Sequence, residues 1–513
     1  PNSAATADVC VIGAGAVGIY LATQLVQRGC SVILVEAGPV TGIDAESVGF
    51  DAVCAADPYP GATAGRFFGM GGSTTRWGGA LVPHTVADLR GEDQYNEVWK
   101  SIVSTVARET PAVLAALGYN NTPDFHDFAE KTLNQSGVAL KSAGLQVQSG
   151  LYLPFRRKNL VGLLSSRLAC SDRLKVYFNA VAKTWTLKRG DQSEAQVRRL
   201  TAVSRNGRKL RISAEKFVIC GGAIESARML LELTDDNTQP VLRKTARPGY
   251  YLGDHLSLPV ADVVPASLDR AAELFTPRFS GSWMRGFRLL EPDAPATAPR
   301  AFAHFIFSHR SRGFELAKAL LGGMQRRQLP RVNSRDAIGG LGDLVRLGYD
   351  RLVKARLHVP RGTPAHLQID MEQIPSSVNR VSLSRQLDDY GRHIAKIDWR
   401  VSDLDIEELG KTAARFLARW PGAKAGLPEL KARQITPDLD RGGMKLHDAY
   451  HPVGTCRMGD DPEAVVNRNL EVWGMNNLWL ASTGVLPSAG TANPTFTILC
   501  LAHELAERMK PER

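Results

Sequence analysis

Apolar and glycine-rich positions alternate at the start of the chain in an order that predicts strand, turn, helix and strand. Residues 8–12 form a short apolar run, which indicates a buried strand, and it leads directly into the GAGAVG turn at 13–18. Residues 19–28 then have helical spacing, and a second apolar run at 31–35 ends at Glu36. This order of elements predicts a dinucleotide site in an α/β fold.

Each part of this unit has a physical role in holding a pyrophosphate. Gly13 permits the tight turn, Gly15 lets the backbone approach the ligand, and Gly18 lets helix and strand pack closely. The helix N-terminus adds free N–H groups and the positive end of its dipole. Glu36 can accept hydrogen bonds from ribose hydroxyls and would repel a 2′-phosphate, which disfavours an NADP-type ligand. The unit by itself leaves NAD and FAD open.

A second glycine cluster occupies residues 65–83 and contains a run of candidate ligand contacts. Dense glycine indicates backbone that passes close to a flat or charged group. Hydroxyl, indole and guanidinium groups between the glycines supply donors for phosphate or ring oxygens. The candidates are Gly71, Gly72, Ser73, Thr74, Arg76, Trp77, Gly78 and Gly79.

The middle of the chain predicts more strands and a second domain. Residues 175–200 alternate like strands, and the run at 213–220 ends at a glycine turn before an apolar helix. Residues 256–441 have more irregular apolar runs, with alternation at 366–383 that predicts strands of one sheet. At 513 residues the chain is too long for one simple core, so two domains are expected.

The carboxy-terminal part places two polar side chains directly before prolines. His451 precedes Pro452 and Asn493 precedes Pro494, with a buried strand predicted between them at 477–481. Oxidation of an alcohol needs a base for the hydroxyl proton, a donor for the developing alkoxide and an electron acceptor. Imidazole suits the first task and an amide NH₂ the second. His447 is a competing candidate for the base.

Charge and cysteine content bear on the surface partners and the cellular location of the protein. The net charge is +11, and residues 310–361 hold twelve Lys or Arg against four Asp or Glu. This basic stretch predicts a solvated helical face or a docking surface; membrane contact is not favoured, and no nucleic-acid motif is present. Seven scattered cysteines without a CxxC pair predict free thiols, no metal site and a cytoplasmic location, with a removed leader left open.

The GAGAVG turn, the GGSTTRWGG loop and the tail HPVGTCRMG with NLWLASTGVLPSAGTANPTFTI together resemble the glucose-methanol-choline (GMC) oxidoreductase family. The resemblance is greatest to its bacterial, pyranose-oxidase-like branch. It implies FAD as cofactor, bound non-covalently, because Arg76 stands where some members attach FAD through histidine. It also implies flavin contacts in the second glycine cluster. Ser482 departs from the aspartate that many members have after the preceding strand.

The resemblance assigns further residues by position. It implies that His451 and Asn493 are the catalytic pair, acting with hydride transfer to flavin N5. It places the remaining cofactor contacts at Val181, Cys220, Gly221, Thr491, Asn493 and Thr495. It also implies a Rossmann-like FAD domain from segments 1–99, 161–255 and 442–513. A mixed-sheet α+β substrate domain would then comprise 100–160 and 256–441.

The function that the resemblance implies is oxidation of a CH–OH group on a sugar, glycoside or polyol, with molecular oxygen or another electron acceptor. A dehydrogenase passing electrons to a quinone or cytochrome is an alternative, and the basic stretch would then be a docking surface. A non-redox flavoprotein lyase, a light-driven decarboxylase and a binding protein with structural FAD are further alternatives. A flavin that no alcohol reduces would favour these last three.

Overall fold

The computed structural model describes residues 3–90, 94–121, 124–164, 171–189, 194–234, 242–308, 312–326, 341–435 and 446–511. Cys170, Arg310 and residues 327–340 of the basic stretch therefore lie outside the described residues. Strands and helices are numbered in chain order below.

A seven-stranded sheet carries the amino-terminal glycine turn. Its parallel part has the order β8, β2, β1, β11, β21, while β9 and β10 form an antiparallel extension on β11. The apolar run that ends β1 is completely buried, as expected for a parallel strand covered on both faces. The strands of this sheet are β1 (Ser3–Ile12), β2 (Val32–Val35), β8 (Leu174–Tyr177), β9 (Val181–Arg189), β10 (Ala195–Val203), β11 (Lys209–Ile219) and β21 (Leu478–Leu480).

A nine-stranded, antiparallel sheet forms the second layer, in the order β19, β12, β16, β15, β14, β7, β6, with β13 on β14 and β20 on β12. Its strands are β6 (Ala80–Leu81), β7 (Gln146–Tyr152), β12 (His255–Val263), β13 (Arg278–Ser280), β14 (Trp283–Leu290), β15 (Ala301–Phe307), β16 (Ala365–Glu372), β19 (Leu430–Ala432) and β20 (His447–Asp448).

Two small sheets complete the strand content of the described residues. One joins β17 and β18 to β4, and the other pairs β3 with β5. Their strands are β3 (Ile43–Asp44), β4 (Ala52–Cys54), β5 (Phe67–Phe68), β17 (Arg380–Leu387) and β18 (His393–Asp398).

Helices cover the sheets. The last helix packs against both α1 and α4, so the two ends of the chain share one core. The helices are α1 (Ala16–Gln27), α2 (Ala45–Val48), α3 (Pro60–Thr63), α4 (Asn96–Ala116), α5 (Asp127–Leu133), α6 (Gln135–Ser142), α7 (Phe155–Lys158), α8 (Gly222–Thr234), α9 (Leu268–Phe275), α10 (Arg312–Arg326), α11 (Leu341–Leu352), α12 (Asp403–Ala418) and α13 (Pro494–Met509).

The predicted fold class is confirmed, and one predicted sheet is wrong. The amino-terminal strand, glycine turn, helix and strand occur in the expected order. Residues 366–383, however, do not form strands of one sheet: β16 lies in the nine-stranded sheet and β17 in the three-stranded one. The segment between them contains Pro375, which lacks an N–H group for a ladder and ends the pairing. The proposed division into two domains stays a prediction.

Among the described residues, every helix is too short or too polar to cross a membrane.

Candidate active site

A cleft runs along the carboxyl ends of the parallel strands. The empty space in it is about 1320 Å³, a figure that includes the part open to solvent. Of the predicted ligand contacts, it is lined by Gly13, Gly15, Glu36, Gly72, Ser73, Cys220, Gly221 and Thr495. Eight residues from four separate parts of the sequence therefore meet at one surface, at the edge where open α/β sheets bind ligands.

The first glycine turn is shaped for close backbone approach. Gly13 has φ of +104°, a conformation that favours glycine. A Cβ on Gly18 would lie 1.8 Å from the carbonyl oxygen of Gly13, so Gly18 serves packing inside the turn rather than the cleft. A Cβ on Gly15 would meet no atom within 4 Å, because this position faces the open cleft.

Glu36 joins the two glycine-rich segments. Its carboxylate accepts hydrogen bonds from the backbone N–H groups of Ala14 at 2.7 Å, Gly38 at 2.8 Å and Gly69 at 2.8 Å. Burial raises the pKa of this carboxyl, and the three N–H donors oppose that shift. Glu36 also lines the cleft, and its contact with a ribose hydroxyl stays a prediction.

The second glycine cluster divides between the cleft and the protein interior. Gly72 and Ser73 line the cleft, whereas other predicted contacts pack away from it. Gly71 lies against Asn159, the Thr74 hydroxyl accepts the N–H of Leu160, the Trp77 indole donates to the carbonyl of Lys158, and Gly79 lies against Lys158. Arg76 and Gly78 are exposed, with the Arg76 guanidinium 5.0 Å from the Phe67 ring centroid. These positions hold the loop in place, and their contact with a cofactor stays a prediction.

Val181 was a predicted cofactor contact, but its two neighbours in the sequence line the cleft instead. The side chain of Val181 is fully buried in a small core cluster with Phe50, while its neighbours Ala180 and Ala182 line the cleft. Successive side chains of a strand point to opposite faces, so sequence position alone could not choose between them.

Two arginines that line the cleft together with Phe50 were not predicted from the sequence. Arg66 lies 3.0 Å from Glu225, and the Arg392 guanidinium lies 3.9 Å from the Phe50 ring centroid. Although burial alone would raise it, Arg228 and Arg66 lower the pKa of Glu225 to about 2. Arg228 and Arg66 therefore keep the Glu225 carboxylate ionised although it is buried.

His451 and Asn493 meet next to the cleft and are not themselves among the residues that line it. Nε2 of His451 lies 3.0 Å from Nδ2 of Asn493, although the two residues are 42 positions apart. Asn493 occupies the N-cap position of α13, but its side chain forms no capping hydrogen bond and is directed to His451 instead. Thr495 in the first turn of α13 and Pro452 after His451 line the cleft, so the pair flanks it.

Hydrogen bonds from a third residue, His255, determine which nitrogen of His451 is basic. Nε2 of His255 lies 2.9 Å from the carbonyl oxygen of Gly490, which can only accept, so Nε2 carries the proton. In a neutral imidazole Nδ1 of His255 is then an acceptor, and Nδ1 of His451, 3.0 Å away, must donate to it. Nε2 of His451 is therefore left unprotonated and accepts from Asn493.

Asp254 fixes the backbone of both histidines. Its carboxylate accepts the N–H of His255 at 2.7 Å, the N–H of His451 at 2.9 Å and the hydroxyl of Tyr59 at 2.7 Å. Burial raises the pKa of Asp254 to about 7. The same cause, burial, together with the neighbouring His255, lowers the pKa of His451 to about 3, so His451 is neutral at pH 7.

His255 and Asp254 were not identified from the sequence. The signal was an Asp-His pair at the start of the apolar strand β12, which served only as a domain boundary in the prediction. His447, the competing candidate base, is exposed, and its Nδ1 donates to the carbonyl of Asp448. Thr491 donates through its backbone N–H and hydroxyl to Asp88 and so fixes the loop before Asn493.

Comparison with known proteins finds similarity to oxidoreductases. A family profile described as GMC oxidoreductase matches residues 375–502, which include His451 and Asn493, and one described as NAD(P)-binding Rossmann-like domain matches residues 11–63. The 6'''-hydroxyparomomycin C oxidase of Streptomyces lividus is 23% identical over 96% of this chain and 89% of its own length. The C-glycoside 3-oxidase of Arthrobacter globiformis is 35% identical over 24% of this chain and 22% of its own length.

Residues 375–502 carry the GMC oxidoreductase domain, and the matches together support the GMC family for this chain. Solved structures share its fold. Pyridoxine 4-oxidase from Mesorbium loti has a TM-score of 0.58 at 19% identity, covering 98% of each chain. A formate oxidase variant from Aspergillus oryzae RIB40, studied for FAD modification, has a TM-score of 0.58 at 16% identity, covering 99% of this chain and 98% of its own.

As a GMC oxidoreductase the protein is an FAD-dependent enzyme acting on CH–OH donors, which confirms the predicted class and cofactor. The cleft fits FAD on two observations: open space at the Gly15 Cβ position beside the N-terminus of α1, and a buried carboxylate, Glu36, at the end of the next strand. That Gly13, Gly15 and Glu36 hold the pyrophosphate and ribose of FAD stays a prediction. Non-covalent attachment stays a prediction.

Proposed function

We propose that this enzyme oxidises a secondary or primary alcohol group of a polyhydroxylated substrate, with His451 as the general base and Asn493 as the donor to the substrate oxygen. The observation that supports this most is the hydrogen-bonded series Gly490, His255, His451, Asn493, which leaves Nε2 of His451 as the proton acceptor. When bound, FAD supplies the electron acceptor for the hydride that leaves the substrate carbon.

The chain's own groups handle the proton and the oxygen. When the substrate hydroxyl replaces the Asn493 N–H at Nε2 of His451, Nε2 accepts the hydroxyl proton and Asn493 donates to the substrate oxygen. Asp254 and His255 hold the imidazole by its backbone and by Nδ1, so it cannot rotate away. A base held in one tautomer acts without first reorganising.

A polar sheet face next to His255 favours a polyhydroxylated substrate. His255 and Ser257 lie on the same face of β12, and Ser257 pairs with Asp370 in register. Asp370 also accepts from Gln368 at 3.0 Å and lies 2.9 Å from Nε2 of His304, whose side chain is 27% exposed. Carboxylate, amide and imidazole groups beside the base suit the hydroxyls of a sugar, glycoside or polyol.

We expect the titration of His451 to add no pH dependence to the rate of flavin reduction between pH 5 and 8. Because the pKa of His451 is lowered to about 3, the basic form is fully present across this range and is lost only as pH falls towards 3. Anaerobic stopped-flow measurement with a saturating alcohol tests this. A decrease with a midpoint near 6.5 that persists in Asp254→Asn would contradict the assignment, since Asp254 itself titrates near pH 7.

Replacing His255 separates its positioning role from simple packing. His255→Phe keeps a ring against Phe302 but removes the acceptor for Nδ1–H of His451, so we expect flavin reduction to slow by about tenfold to 100-fold. His255→Asn supplies a carbonyl acceptor and should recover part of the rate. ¹⁵N NMR of the protein with labelled histidine should show that the proton of His451 is on Nδ1, both in the wild type and in His255→Asn. Equal rates in both variants would contradict the positioning role.

The function itself is tested by anaerobic mixing of the purified holoenzyme with sugars, glycosides and simple alcohols. Loss of the flavin's blue absorbance with a polyhydroxylated compound supports the proposal, and admission of air afterwards distinguishes an oxidase from a dehydrogenase by the speed of reoxidation. Reduction by simple alcohols alone would refute the substrate class, and a flavin that no alcohol reduces would refute alcohol oxidation.

A further inference from the structure

Exposed apolar side chains concentrate on the helix pair α10 and α11. Six of the fifteen large hydrophobic side chains that are exposed among the described residues belong to this pair or directly follow it. They are Leu320, Met324, Val345, Tyr349, Leu352 and Val353. A soluble surface usually scatters such side chains singly, so a group of six indicates a contact surface.

Their spacing forms stripes along the helices. Val345, Tyr349 and Leu352 stand at intervals of four and three residues, so they share one side of α11, and Leu352 is 83% exposed. Leu320 and Met324 stand four residues apart on α10, which packs against α11. Each helix therefore turns an apolar stripe to solvent instead of towards the core.

Basic residues border these stripes. Lys318, Arg346 and Arg351 are exposed on the same two helices and outnumber the exposed acid Glu315, whereas Asp350 is buried and paired with Lys354 and His358. The whole stretch 310–361 has twelve Lys or Arg against four acidic residues. Apolar stripes bordered by lysine and arginine match the surface of a bilayer with anionic headgroups, where apolar groups enter the acyl boundary and cations meet the headgroups.

We propose that α10 and α11 dock the enzyme on a lipid bilayer that carries anionic headgroups. Charge favours a bilayer over a second copy of the chain as the partner of this surface. An interface between two copies would bring the same basic residues together, and they would repel each other. The docking is peripheral, because neither helix is long and apolar enough to cross a membrane.

Docking would also orient the active site. Gln325 on α10 donates from Nε2 to the carbonyl oxygens of Thr74 at 2.9 Å and Trp77 at 3.1 Å. These residues belong to the second glycine cluster, which contributes Gly72 and Ser73 to the cleft. The bilayer would therefore contact the helices that directly support one wall of the cleft.

Vesicle sedimentation of the holoenzyme tests the proposal. The probes are vesicles of equal parts phosphatidylcholine and phosphatidylglycerol, and vesicles of phosphatidylcholine alone. We expect binding to the anionic vesicles that weakens between 0.1 M and 0.5 M salt, and at least about tenfold weaker binding to the neutral ones. Val345→Glu combined with Leu352→Glu should reduce binding to anionic vesicles at least about tenfold.

The matched control is Val138→Glu with Leu404→Glu, two exposed apolar positions on α6 and α12. All variants are compared for FAD content and thermal unfolding, so that a folding defect is recognised. Wild-type binding that is absent, or that both double variants retain equally, would overturn the proposal. A dimer in solution that Val345→Glu with Leu352→Glu dissociates, with no vesicle binding, would assign the surface to a second copy instead.

Discussion

Replacing His451 by alanine is expected to slow anaerobic flavin reduction by at least about 100-fold, the usual scale for losing a general base, while FAD stays bound. The physical reason is that Nε2 of His451 is the unprotonated nitrogen at the end of the series from Gly490 through His255, next to Asn493. Alanine leaves no proton acceptor there. Rapid mixing with a reducing substrate at pH 7, following the flavin absorbance, measures the rate.

His447→Ala is the matched control for this experiment. His447 lies four residues before His451, but its side chain is exposed and contacts the carbonyl of Asp448 rather than the cleft. Its loss should change the rate by less than about twofold, in line with ordinary surface substitutions. If His447→Ala were the slow variant and His451→Ala reduced normally, the base would be assigned wrongly.

Replacing Gly15 by valine is expected to give a folded protein that does not retain FAD. A Cβ at this position meets no protein atom within 4 Å, so the apoprotein accommodates it. The added methyl groups occupy the space of the cleft beside the N-terminus of α1, where a pyrophosphate must approach the backbone. The absorbance of the purified variant and its thermal unfolding measure cofactor content and folding separately.

Gly410→Val on α12 is the control, because a Cβ there also has no neighbour within 4 Å and the site is not part of the cleft lining. This variant should be yellow. A yellow Gly15→Val protein would show that the cofactor does not pass Gly15. Gly18 is unsuitable for this test, since its Cβ would collide with the carbonyl of Gly13 and unfolding would be confused with cofactor loss.

Several features of this protein follow from local sequence alone. The first glycine turn, its helix and Glu36 depend on contacts between residues close in the chain, and the pattern of apolar and glycine positions records them directly. The resemblance of the carboxy-terminal motifs to the GMC family also predicted that His451 and Asn493 form a pair.

Other features needed the assembled structure. The role of Val181 depended on which face of β9 meets the cleft, and the neighbours Ala180 and Ala182 line it instead. Residues 366–383 alternate evenly, yet they divide between two sheets, because pairing partners come from distant segments. The alternation of apolar and polar residues indicates that a strand is half-buried, but it does not indicate which strand it pairs with.

The sequence by itself determined that the chain binds a dinucleotide at its amino terminus and that it belongs with alcohol-oxidising flavoenzymes, since both properties rest on short motifs. Only the tertiary structure decided which nitrogen of His451 is basic. That choice depends on His255 and on the carbonyl of Gly490. His255 lies 196 positions before His451 and 235 positions before Gly490. Hydrogen-bond direction is a property of atoms brought together by folding, and no pattern along the chain contains it.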